Sequence, residues 1–330
     1  MNVLVTGATG FIGQHLVPKL LHNGYTVTCL IRDREKAEAL DYRDSVGFVY
    51  GDVTKPESLH FDIDFDYVIH LAAMGHVSAA SEEAYRQFKE INEGGTDNLI
   101  KALAVNKSLK RFIHFSSTAA MGPIGVPVLN EDMENNPQTP YQKSKDRSER
   151  VSLDAFAENS FPCVIIRPCM VYGPGGEGEF LKFCRLMKKG LFPKVGRGKN
   201  LTPMVYVDDV VEATLLALNK STIGNVYIIA SADSYPMDMI RNHVVDCIGV
   251  NPPYVYVPLW AAILYSKMLE VFCRVVKKTP IVTSTNIRSS STNRTFDITK
   301  AKSELGYDPK TPLLDGIKAT IQWYRQENLL

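Results

Sequence analysis

Tyr141 and Lys145, with a serine near position 117, are the residues whose types and spacing can move a proton to and from a carbinol. Tyr141-Gln142-Lys143-Ser144-Lys145 sets a phenol and an ammonium four positions apart, on one face of a helix. A phenol, with a pKa of about 10, is a poor base at neutral pH. A nearby ammonium favours the phenolate and brings that value down. Tyr141 can then take or give the proton of a hydroxyl while hydride leaves or joins the same carbon. Y-x-x-x-K is a cheap pattern, and Tyr85 with Lys89 forms a second copy. Context separates the two. Tyr141 follows a strand that ends in Phe115-Ser116-Ser117-Thr118, whereas Tyr85 precedes any candidate serine and reads as a helix-surface residue. Ser117 is the expected hydrogen-bonding partner of the reacting oxygen, with Ser116 and Thr118 as its neighbours in register. Asn92 is a candidate for positioning the lysine, through water, and equally a packing asparagine.

Hydride needs a carrier, and the N-terminus offers a place for one. The run Asn2–Thr6 leads directly into Gly7-Ala8-Thr9-Gly10-Phe11-Ile12-Gly13. Gly7 permits a tight turn, Gly10 lets a pyrophosphate approach the backbone, and Gly13 allows close packing of the following helix. The free N–H groups of that helix attract phosphate, with Thr9, Phe11 and Ile12 completing the turn. The second strand ends at Arg32-Asp33-Arg34-Glu35-Lys36. An acid at the strand tip holds a ribose 2′-hydroxyl, whereas an arginine suits a 2′-phosphate. Arg32 stands at the tip, Lys36 is close by, and Asp33 comes one residue late, so NADP is favoured over NAD. Asp52 and Val53 follow the third strand, at the adenine side. His70-Leu71-Ala72-Ala73 closes the fourth, where small residues let a cofactor lie flat.

The elements that must position these groups alternate. Strands are expected at 2–6, 26–31, 47–50, 67–71, 111–116 and 163–167, with helices near 11–23, 82–105 and 141–159. Gly24 is expected to cap the first helix. Alternation of this kind predicts an α/β Rossmann fold, a doubly wound parallel sheet. Residues 1–167, rejoined by about 208–230, form the expected dinucleotide-binding domain. Residues 168–207 and 231–330 form a smaller mixed α/β substrate lobe. Loops are expected at 172–178, at 194–200 and over the Ser/Thr-rich stretch 283–295.

With 330 residues the chain is long enough for both lobes. Its 37 Lys and Arg against 36 Asp and Glu leave a formal charge of +1. That balance lacks the basic stripe of a nucleic-acid binder and leaves a small-molecule substrate. Six scattered cysteines without C-x-x-C spacing read as reduced, mostly buried thiols of a cytoplasmic protein. No zinc cluster or H-x-x-x-H pair is visible, so no metal is expected. The start lacks the basic region of a signal peptide, and no apolar run is clean enough to span a bilayer.

Taken together, these motifs resemble the extended short-chain dehydrogenase/reductase superfamily, in its NAD-dependent epimerase/dehydratase group. The match includes the glycine turn, His70–Ala73, Ser116-Ser117, Tyr141 with Lys145, Arg167-Pro168 and Val171-Tyr172-Gly173-Pro174. It continues through Tyr206-Val207-Asp208-Asp209-Val210, Phe296–Lys302 and Leu305-Gly306-Tyr307, nearly the whole chain. The resemblance implies that Pro168 to Val171 passes beside the nicotinamide. It also implies a homodimer, through the helices at 82–105 and 141–159. Met121-Gly122 departs from the Tyr-Gly of many sugar-nucleotide members, as Arg32 departs from their acid. The segment 258–277, opening Pro258-Leu259-Trp260, is similar to a helix of the 3β-hydroxysteroid dehydrogenase-like branch. It is expected to serve as a core or dimer helix, to cover a hydrophobic pocket, or to touch a membrane surface.

Three functions compete. The first is an NADP-linked oxidoreductase acting on a secondary alcohol or ketone, with a dissociable cofactor. The second is a nucleotide-sugar epimerase or dehydratase that retains NAD and needs a cationic pocket for the diphosphate, with Lys194, Arg197, Lys199, Arg288 and Arg294 as candidates. The third is a dinucleotide sensor without catalysis, which the intact Ser117-Tyr141-Lys145 set disfavours.

Overall fold

A computed structural model describes residues 1–75, 82–190, 194–196, 198–251, 256–276, 284, 287 and 293–330. β-Branched and apolar runs build seven parallel strands: β1 (Asn2–Thr6), β2 (Thr26–Ile31), β3 (Gly47–Tyr50), β4 (Tyr67–His70), β5 (Arg111–Phe115), β6 (Cys163–Pro168) and β7 (Val226–Ile229). Their order across the sheet is β7-β6-β5-β4-β1-β2-β3. Both faces are covered by helices, so the central strands have no polar side: β4 and β6 are buried at every position. The order reverses between β1 and β4, where a doubly wound sheet opens a crevice at its carboxyl edge.

The helices are α1 (Phe11–His22), α2 (Arg34–Glu38), α3 (Glu82–Phe88), α4 (Gly95–Leu103), α5 (Pro140–Asn159), α6 (Glu179–Lys188), α7 (Val207–Lys220), α8 (Met237–Ile248), α9 (Leu259–Val275) and α10 (Leu313–Gln326). In α1, Leu16, Val17 and Leu20 face the sheet. Asn23 caps it, and Gly24 takes the left-handed φ of +78° one residue later. The single helix expected over 82–105 is interrupted. Lys89–Gly94 form a π-helical turn between α3 and α4, which rotates Asn92 into the interior. Gly95 then lies against Val53, so close that a Cβ would come within 2.8 Å of its Cγ2.

A second core gathers Phe180, Leu181, Met187, Met204, Ile240, Ile317 and Tyr324 from α6, α8, α10 and the strand Met204–Tyr206. That strand pairs in parallel with Met170–Tyr172. Lys194–Val195 pairs with Tyr256–Val257, a short strand where a loop was expected. Most of the Ser/Thr-rich stretch 283–295 lies outside the described residues.

Candidate active site

A cleft of about 660 Å³ opens at the carboxyl edge of β1, β2 and β4. Thr6, Gly7, Thr9 and Gly10 form its floor, Leu71, Ala72 and Ala73 one wall, and Asp52 and Val53 the far end. Gly7 has φ +71°, and a Cβ there would stand 2.8 Å from Ala72 N, so two requirements exclude any side chain. At Gly13 a Cβ would meet Gly7 O at 2.5 Å, so this glycine lets α1 close on its own turn. Gly10 caps α1 with no side chain, leaving the first N–H groups for an anion. The Phe11 ring faces away from the cleft, against Gly175, Gly176 and His15, and Ile12 joins both cores; these two can serve a ligand through their backbone.

At the β2 tip, Arg32 and Lys36 line the cleft while Arg34 turns aside to lie over the Tyr50 ring at 4.1 Å. Arg32 is 69% exposed, with Nη1 4.0 Å from Asp52 Oδ2. The Asp33 carboxylate is engaged as the N-cap of α2, accepting from Glu35 N at 3.1 Å and Lys36 N at 3.4 Å. Asp52 Oδ1 accepts from both Thr54 N and Thr54 Oγ1 at 2.9 Å, which leaves Oδ2 toward the cleft.

Helix α5 starts with a capping box: Gln142 N donates to Thr139 Oγ1 at 3.3 Å, and Thr139 N donates to Gln142 Oε1 at 3.1 Å. Tyr141 therefore sits in a fixed first turn. Its hydroxyl hydrogen-bonds the Ser117 side chain, and its ring packs on Phe88. Ser117 Oγ also accepts from Ala119 N at 3.1 Å, capping the turn Thr118–Met121. Of the Ser-Ser-Thr run, Ser117 is the hydroxyl that meets Tyr141. Thr118 faces a different pocket, and Ser116 Oγ is buried without a partner. An orphaned buried hydroxyl is a group that a polar ligand can satisfy. Tyr85 is exposed, its hydroxyl accepting from Arg147 Nη1 at 3.4 Å, as expected of a surface residue.

Lys145 is buried and its Nζ donates to Phe115 O at 3.0 Å. Burial brings its pKa down to about 8, opposed by Glu149 one turn further on. The expected lowering of Tyr141 by this ammonium is not found: burial raises the phenol, and the Ser117 hydrogen bond is what opposes the rise. The lysine is held by a backbone carbonyl and is itself driven toward neutrality.

Behind the pair, α5 buries a polar face of Ser144, Lys145, Ser148, Glu149 and Ser152. Asn92 Nδ2 donates to Ser144 Oγ at 2.9 Å and to Met74 O at 3.2 Å, while its Oδ1 accepts from Met74 N at 2.7 Å. Its direct link is thus to the neighbour of Lys145. Arg167 Nε and Nη2 donate to Glu149 at 2.8 and 2.6 Å, a buried fork that ties α5 to β6. Glu149 was not foreseen, although its spacing, eight positions after Tyr141 on one helix face, was in plain view.

A second pocket of about 380 Å³ begins at Thr118 and runs between Cys169, Met170, Phe180, Leu201, Ile240 and Phe296. Cys169 and Met170, rather than Pro168 and Val171, line it; Pro168 lies in the sheet, and Val171 packs against both cores. Arg294 is its half-buried cation, with a pKa lowered by burial, while Lys182 at the rim is paired with Glu179 at 2.8 Å. Of the other candidate phosphate cations, Lys199 is exposed, and Arg197 and Arg288 lie outside the described residues.

A model of the NAD-dependent epimerase/dehydratase family matches residues 3–230. The chain belongs to this family. It is 30% identical to UDP-glucose 4-epimerase of Vibrio cholerae, over 99% of this chain and 96% of that protein. It is 26% identical to 3beta-hydroxysteroid-dehydrogenase/decarboxylase isoform 2 of Arabidopsis thaliana, over 96% of this chain and 61% of that protein. The structure of dTDP-glucose 4,6-dehydratase from Streptomyces venezuelae with NAD bound matches with a TM-score of 0.78 at 26% identity, over 100% of both chains. As an epimerase/dehydratase family member, the chain has the Rossmann-type sheet its motifs led one to expect.

Proposed function

We propose that this chain is a nicotinamide-dinucleotide enzyme that oxidises and re-reduces a carbinol of a nucleotide-linked sugar, as an epimerase or dehydratase does. The observation that carries this reading is the second pocket. Apolar and aromatic walls suit a nucleoside, and a half-buried arginine suits a phosphate. Burial disfavours the charged form of Arg294, so an anion beside it restores what desolvation removes. The pocket is lined almost entirely from 168–207 and 231–330, which supports a substrate role for those segments. The epimerase of Vibrio cholerae supports the same substrate class.

The dinucleotide would rest on Gly7–Gly13, with Asp52, Val53, Leu71, Ala72 and Ala73 as walls and Ser116 as a donor. When bound, its nicotinamide takes up and returns hydride. Tyr141 removes the proton of the substrate hydroxyl, and Ser117 holds that oxygen by hydrogen bond. Lys145, leaving Phe115 O, would supply positive charge to the phenolate.

Arg32 favours a second reading, an NADP-linked reductase of a secondary alcohol or ketone. Asp33 is committed to capping α2, so the β2 tip presents Arg32 and Lys36 to whatever lies on the ribose. In the first reading Arg32 instead serves Asp52 and the adenine face. Releasing the dinucleotide from fresh protein and titrating the stripped chain separates them. Retained NAD, with UDP-sugar interconversion and no net reduced cofactor, supports the first. An empty protein that binds NADP at least about tenfold tighter than NAD, lost in Arg32→Ala, supports the second and sinks the first.

A further inference from the structure

Helix α9 is built inside out. The residues it buries fully are small or polar, Ala262, Ser266 and Cys273, with Ile263 and Leu269 half-buried beside them. The residues it turns to solvent are large and apolar. Trp260, Leu264, Tyr265, Met268, Val271 and Phe272 are each more than half exposed, and Trp260 is 70% exposed. Leu259 and Val276 extend the stripe at either end. A helix on a water-soluble surface has the reverse pattern. Other exposed apolar residues, such as Ile63, Val105 and Leu186, come from separate elements. Single ones need no explanation, whereas a contiguous stripe does.

The charge of the segment is one-sided in sequence: 259–278 carries Lys267, Arg274, Lys277 and Lys278 against Glu270 alone, in a chain whose formal net charge is +1. Glu270 accepts a hydrogen bond from Ser284 N, so the acid is engaged on the protein side. Lys267 is exposed beside the apolar stripe.

We propose that α9 lies flat in the surface of an anionic lipid bilayer. Its apolar stripe would enter the acyl boundary while the basic border meets anionic headgroups. Trp260 and Tyr265, each an apolar ring with a polar tip, suit the headgroup level. No described helix is long and apolar enough to cross a membrane, which leaves an in-plane placement for α9. A second copy fits less well, because a two-fold pairing sets the same basic segment against itself, whereas anionic headgroups answer its charge. The helix begins near Gly196, whose segment continues into Leu201 and Thr202 of the second pocket, so the bilayer would lie beside the substrate side.

The test is sedimentation of the full chain with phosphatidylcholine vesicles, plain or with about 30 mol % phosphatidylserine. The expected result is at least about tenfold more protein on the anionic vesicles, reduced by added salt. A blue shift of tryptophan fluorescence should accompany it and vanish in Trp260→Ser. The doubly substituted Trp260→Ser/Phe272→Ser chain should lose the vesicles but keep its melting temperature and dinucleotide affinity. Failure of the unaltered chain to bind anionic vesicles overturns the proposal whatever the variants do. Equal binding to both vesicle types overturns the anionic surface as the occupant. A dimer in light scattering that dissociates in the double variant would give the face to a second copy.

Discussion

Lys145 donates its buried ammonium to the Phe115 carbonyl, and burial has brought its pKa down to about 8. Because kcat/KM reports the free enzyme, its pH profile should carry this group. For ketone reduction, where Tyr141 gives up a proton, kcat/KM should fall as pH rises through about 8. Lys145→Met should lose this limb together with about 10²-fold of the rate. Glu149 opposes the lowering, so Glu149→Gln should move the limb to lower pH; an unmoved limb would assign it to another group. The linkage has a definite sign. The folded pKa lies below the ordinary 10.5, so the unfolded chain holds the extra proton between about 8 and 10.5 and stability should rise with pH across that window. At Tyr141, replacement by Phe should cost about 10²- to 10⁴-fold in turnover and leave dinucleotide affinity unchanged in a direct titration.

Between elements, the polar contacts behind the site do the aligning. Thr6 Oγ1 lies 2.8 Å from His70 Nδ1 and accepts from Ala72 N; toward a neutral ring protonated at Nε2 it donates. His70 Nε2 then donates to Thr96 Oγ1 at 3.1 Å, and Thr96 donates to Asn92 O at 2.7 Å. The chain of bonds joins β1, β4, α4 and the π-helical turn around an imidazole that burial keeps neutral. Burial pushes the His70 pKa down to about 3 and that of His114 well below its usual value. Between pH 6.5 and about 3 the unfolded chain binds protons the folded one refuses, so stability should fall on acidification. The slope should be about 1.4 kcal/mol per pH unit for each histidine. Thermal unfolding from pH 7 to 4 checks this, and His70→Gln should flatten the dependence. The Arg167–Glu149 fork makes a second prediction. Arg167→Leu strands a buried carboxylate and should cost about 3–5 kcal/mol in denaturant unfolding, most of it recovered in Arg167→Leu/Glu149→Leu.

At the scale of the whole molecule, the second core closes where Tyr172 and Tyr206 pack on α10. Gly316 is the contact. A Cβ there would stand 2.5 Å from Tyr172 Oη and 2.9 Å from a Tyr206 ring carbon. Alanine is the better helix former by about 1 kcal/mol. Tyr172 is buried and held against Phe180 and Tyr206, so it has no free direction in which to move. Gly316→Ala should therefore destabilise the chain, by about 1–3 kcal/mol in denaturant unfolding, despite its helix propensity. A neutral or stabilising result would mean that this contact yields more easily than its packing indicates. The Tyr324 hydroxyl donates to Gly176 O, tying the last helix to the loop that Phe11 packs against.

The strand positions and the glycine turn were legible in the sequence because their causes are local. Alternating β-branched runs dictate strands, and the φ of +71° at Gly7 dictates a glycine. Tyr141 and Lys145 were legible for the same reason, since four positions on a helix fix a shared face. Three things depended on residues far apart in the chain. The π-helical turn that breaks 82–105 exists to bring Asn92 to Met74 and Ser144, and no periodicity within the helix announces it. The direction of the Tyr141 and Lys145 shifts came from burial among β5, α3 and α5, where desolvation outweighs the field of a neighbouring charge. The choice between Ser116, Ser117 and Thr118 was one of register. Sequence alone put three hydroxyls side by side, and the strand-to-turn geometry sent one to Tyr141, one to an unfilled contact and one to the second pocket.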